Sequence, residues 1–169
     1  MIDAIQLREL VIEPTLHDME IHWPGASVPA AVNLLIGIVF HESLGATYLK
    51  QVNGPALGIY QIEPATHQDV WDNYLSYRPQ QREFALNLLP RNAGDPSQSP
   101  VMLNHAYLVH NLQYATFIAR LIVYRKSFEW PNDPNDVSGL ATIWKDHYNS
   151  NLGAGTENQF IDHYPANLA

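Results

Sequence analysis

Residues 31–40, AVNLLIGIVF, admit few folds. Their apolar side chains cover nearly the whole circumference of a helix rather than one stripe, and such a helix belongs inside other elements. Ser27 suits an N-cap and Pro29 a first turn, so a helix is predicted from there through about Ser43. The stretch is too short to span a bilayer and is interrupted by Asn33 and Gly37. The centre of a helical globule is the expected place for it. The run carries straight into His41 and Glu42, so a buried helix ends on an ionisable carboxylate.

The rest of the chain supplies helices to surround that centre. Residues 3–20 carry Ile5, Leu7, Leu10, Val11 and Leu16 at roughly helical spacing, with Pro14 expected to end or kink the helix. HWPGAS is a turn. Residues 45–63, with Gly45, Gly54, Pro55 and Gly58, read as a loop with a short extended pair around Tyr48 and Ile59. Pro64 opens PATHQDVWDNYL, and PQQREFALNLL is a further short helix. PRNAGDPSQSP reads as an exposed loop, and segment 78–100 holds no motif. VMLNHAYLVHNLQYATFIARLIVYRKSF reads as one long helix with basic residues near its end, where they suit the helix dipole. WPNDPND is a turn; Asp136 or Ser138 is expected to cap GLATIWKDHYN, and Thr156 to cap ENQFIDHY. The expectation is a mainly α single domain over residues 1–169, with about seven helices and little or no β structure.

Composition excludes several functions. The 169 residues contain no cysteine, which removes disulfides and thiolate metal sites. The net charge is −8 and the nine Lys and Arg are scattered, against the basic stripe of a nucleic-acid binder or of a protein drawn to anionic membranes. The N-terminus MIDAIQLREL lacks a basic region before an apolar core, so a soluble protein without its own export signal is expected. His17 and His22 are five apart, as are His105 and His110. A proline-containing turn follows the first pair, and on a helix the second pair projects about 140° apart, so neither a metal nor a cofactor is expected. Ser43 lacks the glycine-flanked elbow of a nucleophilic serine.

A carboxyl group at the lip of an apolar helix loses water on one side, which raises its pKa. If it keeps its proton near neutral pH, Glu42 can act as a general acid; the plain alternative is that it points into solvent. Sixteen residues after Glu42-Ser43 comes Gly58-Ile59-Tyr60-Gln61-Ile62-Glu63-Pro64-Ala65-Thr66, and later Tyr148-Asn149 with Gly153 and Gly155. In this order, on a helical pattern, the three stretches resemble the lysozyme-like lytic transglycosylase family, the soluble type related to goose lysozyme. The likeness runs from about Val28 to about Gly155. Trp144-Lys145 through Thr156 is similar to the late segment of shorter phage-encoded members. Two departures stand out: Ile59-Tyr60 replace the usual Leu-Met, and Ser-Asn-Leu is inserted before the first late glycine.

The resemblance implies a lysozyme-like domain that cleaves the MurNAc–GlcNAc bond of peptidoglycan, with Glu42 as catalytic acid. It implies Gly58 at a close approach to a sugar and Gln61 as an amide to substrate or acid. Tyr148 would offer a phenol to either, Asn149 would orient a neighbouring sugar, and Ser43 would help hold the acid. Tyr60 would stack on a sugar or pack inside, and Trp144 competes with Tyr148 as the cleft residue. The implied reaction uses one glutamate and ends in a 1,6-anhydro sugar. Hydrolysis needs a second carboxylate, for which Glu63, Asp69 and Asp72 are the nearby candidates, with solvated surface roles the expectation for each. A glycan-binding structural part with cleavage lost is the remaining alternative. The implied partners are glycan strands, met by a monomer. Release through a holin pore or carriage in a phage particle would bring the chain from the host cytoplasm to the wall.

Overall fold

The computed structural model describes residues 1–91, 104–149 and 155–168. It is mainly α-helical, and among these residues there is no β ladder. In chain order the helices are α1 (Ala4–Leu7), a π turn (Arg8–Ile12), α2 (Glu13–Glu20), α3 (Pro29–Glu42), α4 (Pro64–Asn73) and α5 (Pro79–Asn87). They continue as α6 (Tyr107–His110), α7 (Leu112–Tyr124), α8 (Val137–Ile143), a second π turn (Trp144–Tyr148) and α9 (Glu157–His163). None of the described helices is long and apolar enough to cross a membrane.

Two helices form the centre. Every residue of α3 from Ala30 to Phe40 is buried, as the all-round apolar sequence requires. Residues Tyr114–Val123 of α7 are buried as well. α3 packs against α7, α8, α9 and the first π turn, while α7 also meets α2 and α4. The two interruptions in the apolar run are contact points. Asn33 is buried; its amide donates to Pro134 O (2.8 Å) and Asn135 Oδ1 (3.1 Å), and its Oδ1 accepts from Arg8 Nη2. This ties the turn before α8 to the middle of α3. A Cβ on Gly37 would lie 2.2 Å from Phe160 Cζ, so glycine there lets α9 sit directly on α3.

Several sequence boundaries move for local reasons. Pro14 neither ends nor breaks the first helix. The π turn directly ahead of it opens the backbone ladder, where the Glu13 N–H reaches Arg8 O, so the missing proline N–H is absorbed. Ser27 does not cap α3, because its hydroxyl donates to Glu20 Oε2 (2.7 Å); Val28 is the N-cap and makes no side-chain bond. The extended pair lies off Tyr48 and Ile59, as isolated bridges joining Lys50 to Leu57 and Leu57 to Ile62. The long helix expected over 101–128 is interrupted at Asn111, whose extended backbone and side chain cap α7 by accepting from Tyr114 N. Asp136 caps α8, and Thr156 with Gln159 forms a capping box on α9. Of the PRNAGDPSQSP loop, residues 92–100 lie outside the described residues, as do Gly153 and the rest of 150–154.

Candidate active site

Glu42 closes α3 at the wall of a cleft of about 460 Å³. Trp144, on the π turn after α8, donates its Nε1–H to Glu42 Oε1 at 2.8 Å. Among the described residues that is the carboxyl group's one hydrogen bond, and burial among apolar neighbours dominates its electrostatics. Burial pushes Glu42 from the ordinary 4.5 up to about 7, against the lowering effect of the Trp144 bond. A carboxyl group in that range is protonated in about half of the molecules at neutral pH and can give that proton away.

The other walls come from the loop after α3, the start of α4 and the second π turn. Gln61, Glu63, Thr66, Tyr148, Asn149 and Gly155 all line the cleft. Gln61 adopts φ +47°, and its amide Nε2 donates to Gly58 O at 2.7 Å. The left-handed region is unfavourable for a residue with a Cβ. Among the described residues all four non-glycine cases, Leu44, Ala46, Asn53 and Gln61, fall in the loop that follows the acid. Tyr148 donates its phenol to Tyr60 O at 2.8 Å, which holds the Gln61-bearing loop against the π turn. Burial and the Glu42 charge both raise the pKa of that phenol.

Four of the eight residues suggested by sequence therefore meet Glu42 in one cleft: Gln61, Trp144, Tyr148 and Asn149. The remaining three support it from elsewhere. Ser43 is fully buried; its hydroxyl donates to Val39 O (2.9 Å) and accepts from Ala46 N (2.9 Å), which fixes the strained turn at 44–46. Tyr60 is also fully buried, with its phenol 3.0 Å from Thr116 Oγ1, so the ring packs inside and presents no face to a sugar. Gly58 (φ +73°) serves packing as well. A Cβ there would fall 1.9 Å from Leu108 O, so the close approach is to this chain's own backbone.

Of the three candidate second carboxylates, only Glu63 borders the cleft. Asp69 accepts from Arg125 Nη1 (2.9 Å) and Asn73 Nδ2 (2.8 Å), and Asp72 accepts from Gln68 Nε2. Sequence reasoning missed His41, which lines the cleft and packs edge-on against Trp144 with centroids 4.3 Å apart. Adjacency to Glu42 was the available signal. Neighbouring side chains on a helix diverge, yet the cleft is wide enough to include both. Burial lowers the pKa of His41. No cluster of three or more metal-ligating side chains occurs among the described residues; His105 pairs with His67 (Nδ1 to Nδ1, 3.0 Å) and His41 with His163 (3.2 Å). Compared with protein-family models, curated proteins and solved structures, the chain matches none.

Proposed function

We propose that this chain is a peptidoglycan-cleaving enzyme of the lytic transglycosylase kind, with Glu42 as its acid and base. The observation that carries the reading is a carboxyl group at the wall of a cleft, held by one indole N–H and desolvated enough that burial raises its pKa to about 7. The ordered likeness of residues 42–43, 58–66 and 148–155 to that family points the same way.

In the reaction so inferred, Glu42 protonates O4, the oxygen linking MurNAc C1 to GlcNAc C4, and the C1–O4 bond breaks as positive charge grows on C1. The C6 hydroxyl of the same MurNAc then attacks C1, and the Glu42 carboxylate takes the hydroxyl proton. A 1,6-anhydro ring forms, and the acid is restored. The nucleophile comes from the substrate, so one protein carboxylate suffices. Gln61, Asn149 and Thr66 are among the polar residues on the cleft wall that could orient the sugars. With a net charge of −8, attraction to anionic wall polymers has to come from short-range contacts in the cleft.

Glu63 on the cleft wall favours a second reading, hydrolysis by a carboxylate pair in which Glu63 activates water. Digesting purified peptidoglycan and weighing the released muropeptides by mass spectrometry separates the two. Anhydro ends from the native chain, and no release by Glu42→Gln, support the transglycosylase. Reducing ends abolished by Glu63→Gln support the pair. Binding without release would leave a glycan-binding scaffold and remove the enzyme.

A further inference from the structure

An indole that stacks on a sugar must offer it a face. Trp144 is 1% exposed. Phe160 stacks on the ring at 5.3 Å with 27° between planes, and His41 packs against it edge-on. A Cβ on Gly155 would fall 2.8 Å from its Cη2. The polar atom of this boxed-in ring is the Nε1–H, and it points at Glu42 Oε1.

An indole N–H can only donate, and it does not titrate in the working range. A protonated carboxyl group has one oxygen that accepts and one that carries the proton. Turning the carboxyl group over would set its O–H against the indole N–H, donor against donor. The bond therefore fixes the rotamer and places the proton on Oε2. When the proton leaves, the same bond becomes charge-assisted and strengthens as negative charge develops on the acid.

The geometry points to Trp144 as the positioning residue of the acid: its Nε1–H reserves Oε1 and leaves Oε2 to deliver the proton, and α9, through Phe160, holds the ring in place. Gly37 belongs to the same chain of contacts, because it admits Phe160 against α3. This inference rests on the reading of Glu42 as general acid. The titratable groups that share the cleft wall are His41 on α3, Glu63 ahead of α4 and Tyr148 on the π turn, and the test leaves all three unchanged.

The decisive variant is the full chain with Trp144 replaced by benzothienylalanine, which keeps the ring shape and lacks the N–H. It is assayed on purified glycan strands, with the Glu42 carboxyl followed by ¹³C NMR across pH. The expected result is a kcat lower by roughly tenfold to a hundredfold, the worth of a hydrogen bond to a charged group, with KM within about twofold. Loss of a donor to the anion also moves both the alkaline limb of the pH–rate profile and the NMR midpoint upward. Gly155→Ala keeps the N–H but crowds the ring, and is expected to shift both in the same direction by less. A raised KM at unchanged kcat would instead make Trp144 a sugar platform and overturn the inference. An unmoved NMR midpoint with cleavage intact would overturn it too, while leaving the proposed function standing. A midpoint that moves in a chain that cleaves no glycan supports the control of Glu42 by Trp144, and the failure then falls on the proposed function alone.

Discussion

Glu42, half-buried, and His67, fully buried, are both ionisable side chains that lose water on folding, each within reach of a tryptophan N–H, and their surroundings leave them in different states of hydrogen-bond completeness. His67 is fully buried on α4, with Nε2 2.7 Å from Tyr114 Oη and Nδ1 3.0 Å from His105 Nδ1. Trp71 donates to the same Tyr114 oxygen at 2.8 Å, and the tautomer of His67 sets the direction of its bonds to Tyr114 and His105. Every polar atom of the imidazole is matched, and burial holds its pKa down to about 3. Glu42 receives one N–H and keeps a second oxygen beside a 460 Å³ cleft. Dehydration disfavours the charged form in both places. The difference is completeness: a closed network locks packing, and one unfilled valence next to space leaves chemistry to be done.

The largest expected effect separates the two regions by activity. Glu42→Gln is expected to lower glycan cleavage by ~10²–10⁴, the usual weight of a general acid, with circular dichroism retained and Tm not lowered. Tyr114→Phe does the reverse. It strands His67 Nε2 and the Trp71 N–H, lowers stability by roughly 2 kcal/mol or more, and leaves turnover per folded molecule unchanged. Loss of turnover in the folded Tyr114 variant would erase the distinction.

Acid stability comes next. The folded state keeps His67 neutral, so its contribution is intact above pH 6.5 and is lost as pH falls from 6.5 toward 3, in total about 5 kcal/mol. Denaturant melts over that range should steepen accordingly, and His67→Gln should flatten them. Glu42 works in the opposite direction. Its folded pKa lies above its unfolded one, so ionisation removes stability as pH rises from 4.5 to about 7. Glu42→Gln is then more stable than the native chain by about 3 kcal/mol at pH 8 and equal to it at pH 4; equal melts at both pH values would mean the carboxyl group is hydrated. The smallest effect belongs to Tyr60→Phe. It loses a buried bond to Thr116, lowering stability by about 1 kcal/mol, and leaves KM for glycan unchanged. A clear rise in KM would return Tyr60 to the cleft.

How far sequence could carry these assignments depended on whether local chemistry decided the outcome. The central place of α3 was legible because no other environment accepts ten consecutive mostly apolar residues, and the Asp136 and Thr156 caps because capping is settled within three residues. Pro14 and Ser27 were misjudged because a π turn and a side chain seven positions upstream, Glu20, intervened. In the candidate site, Glu42, Gln61, Tyr148 and Asn149 lie within the stretches that resemble the transglycosylase family, and they line one cleft. The inward turn of Tyr60 depended on Thr116, and the packing of Gly58 on Leu108. Partners about fifty residues away leave no local trace. Trp144 was noticed as a neighbour of the late motif, but the direction of its N–H came only from the packing of Phe160 and His41 around it.

Burial raises the pKa of Glu42 to about 7, and the chemistry of the site depends on that shift. Labelling glutamate with ¹³C at the side-chain carboxyl, assigning Glu42 by its disappearance in Glu42→Gln, and titrating the native chain measures this directly. A midpoint near 7 is the expected result. A midpoint near the ordinary 4.5 would mean that the carboxyl group is fully hydrated and already ionised when substrate arrives, and the account would be wrong at its base.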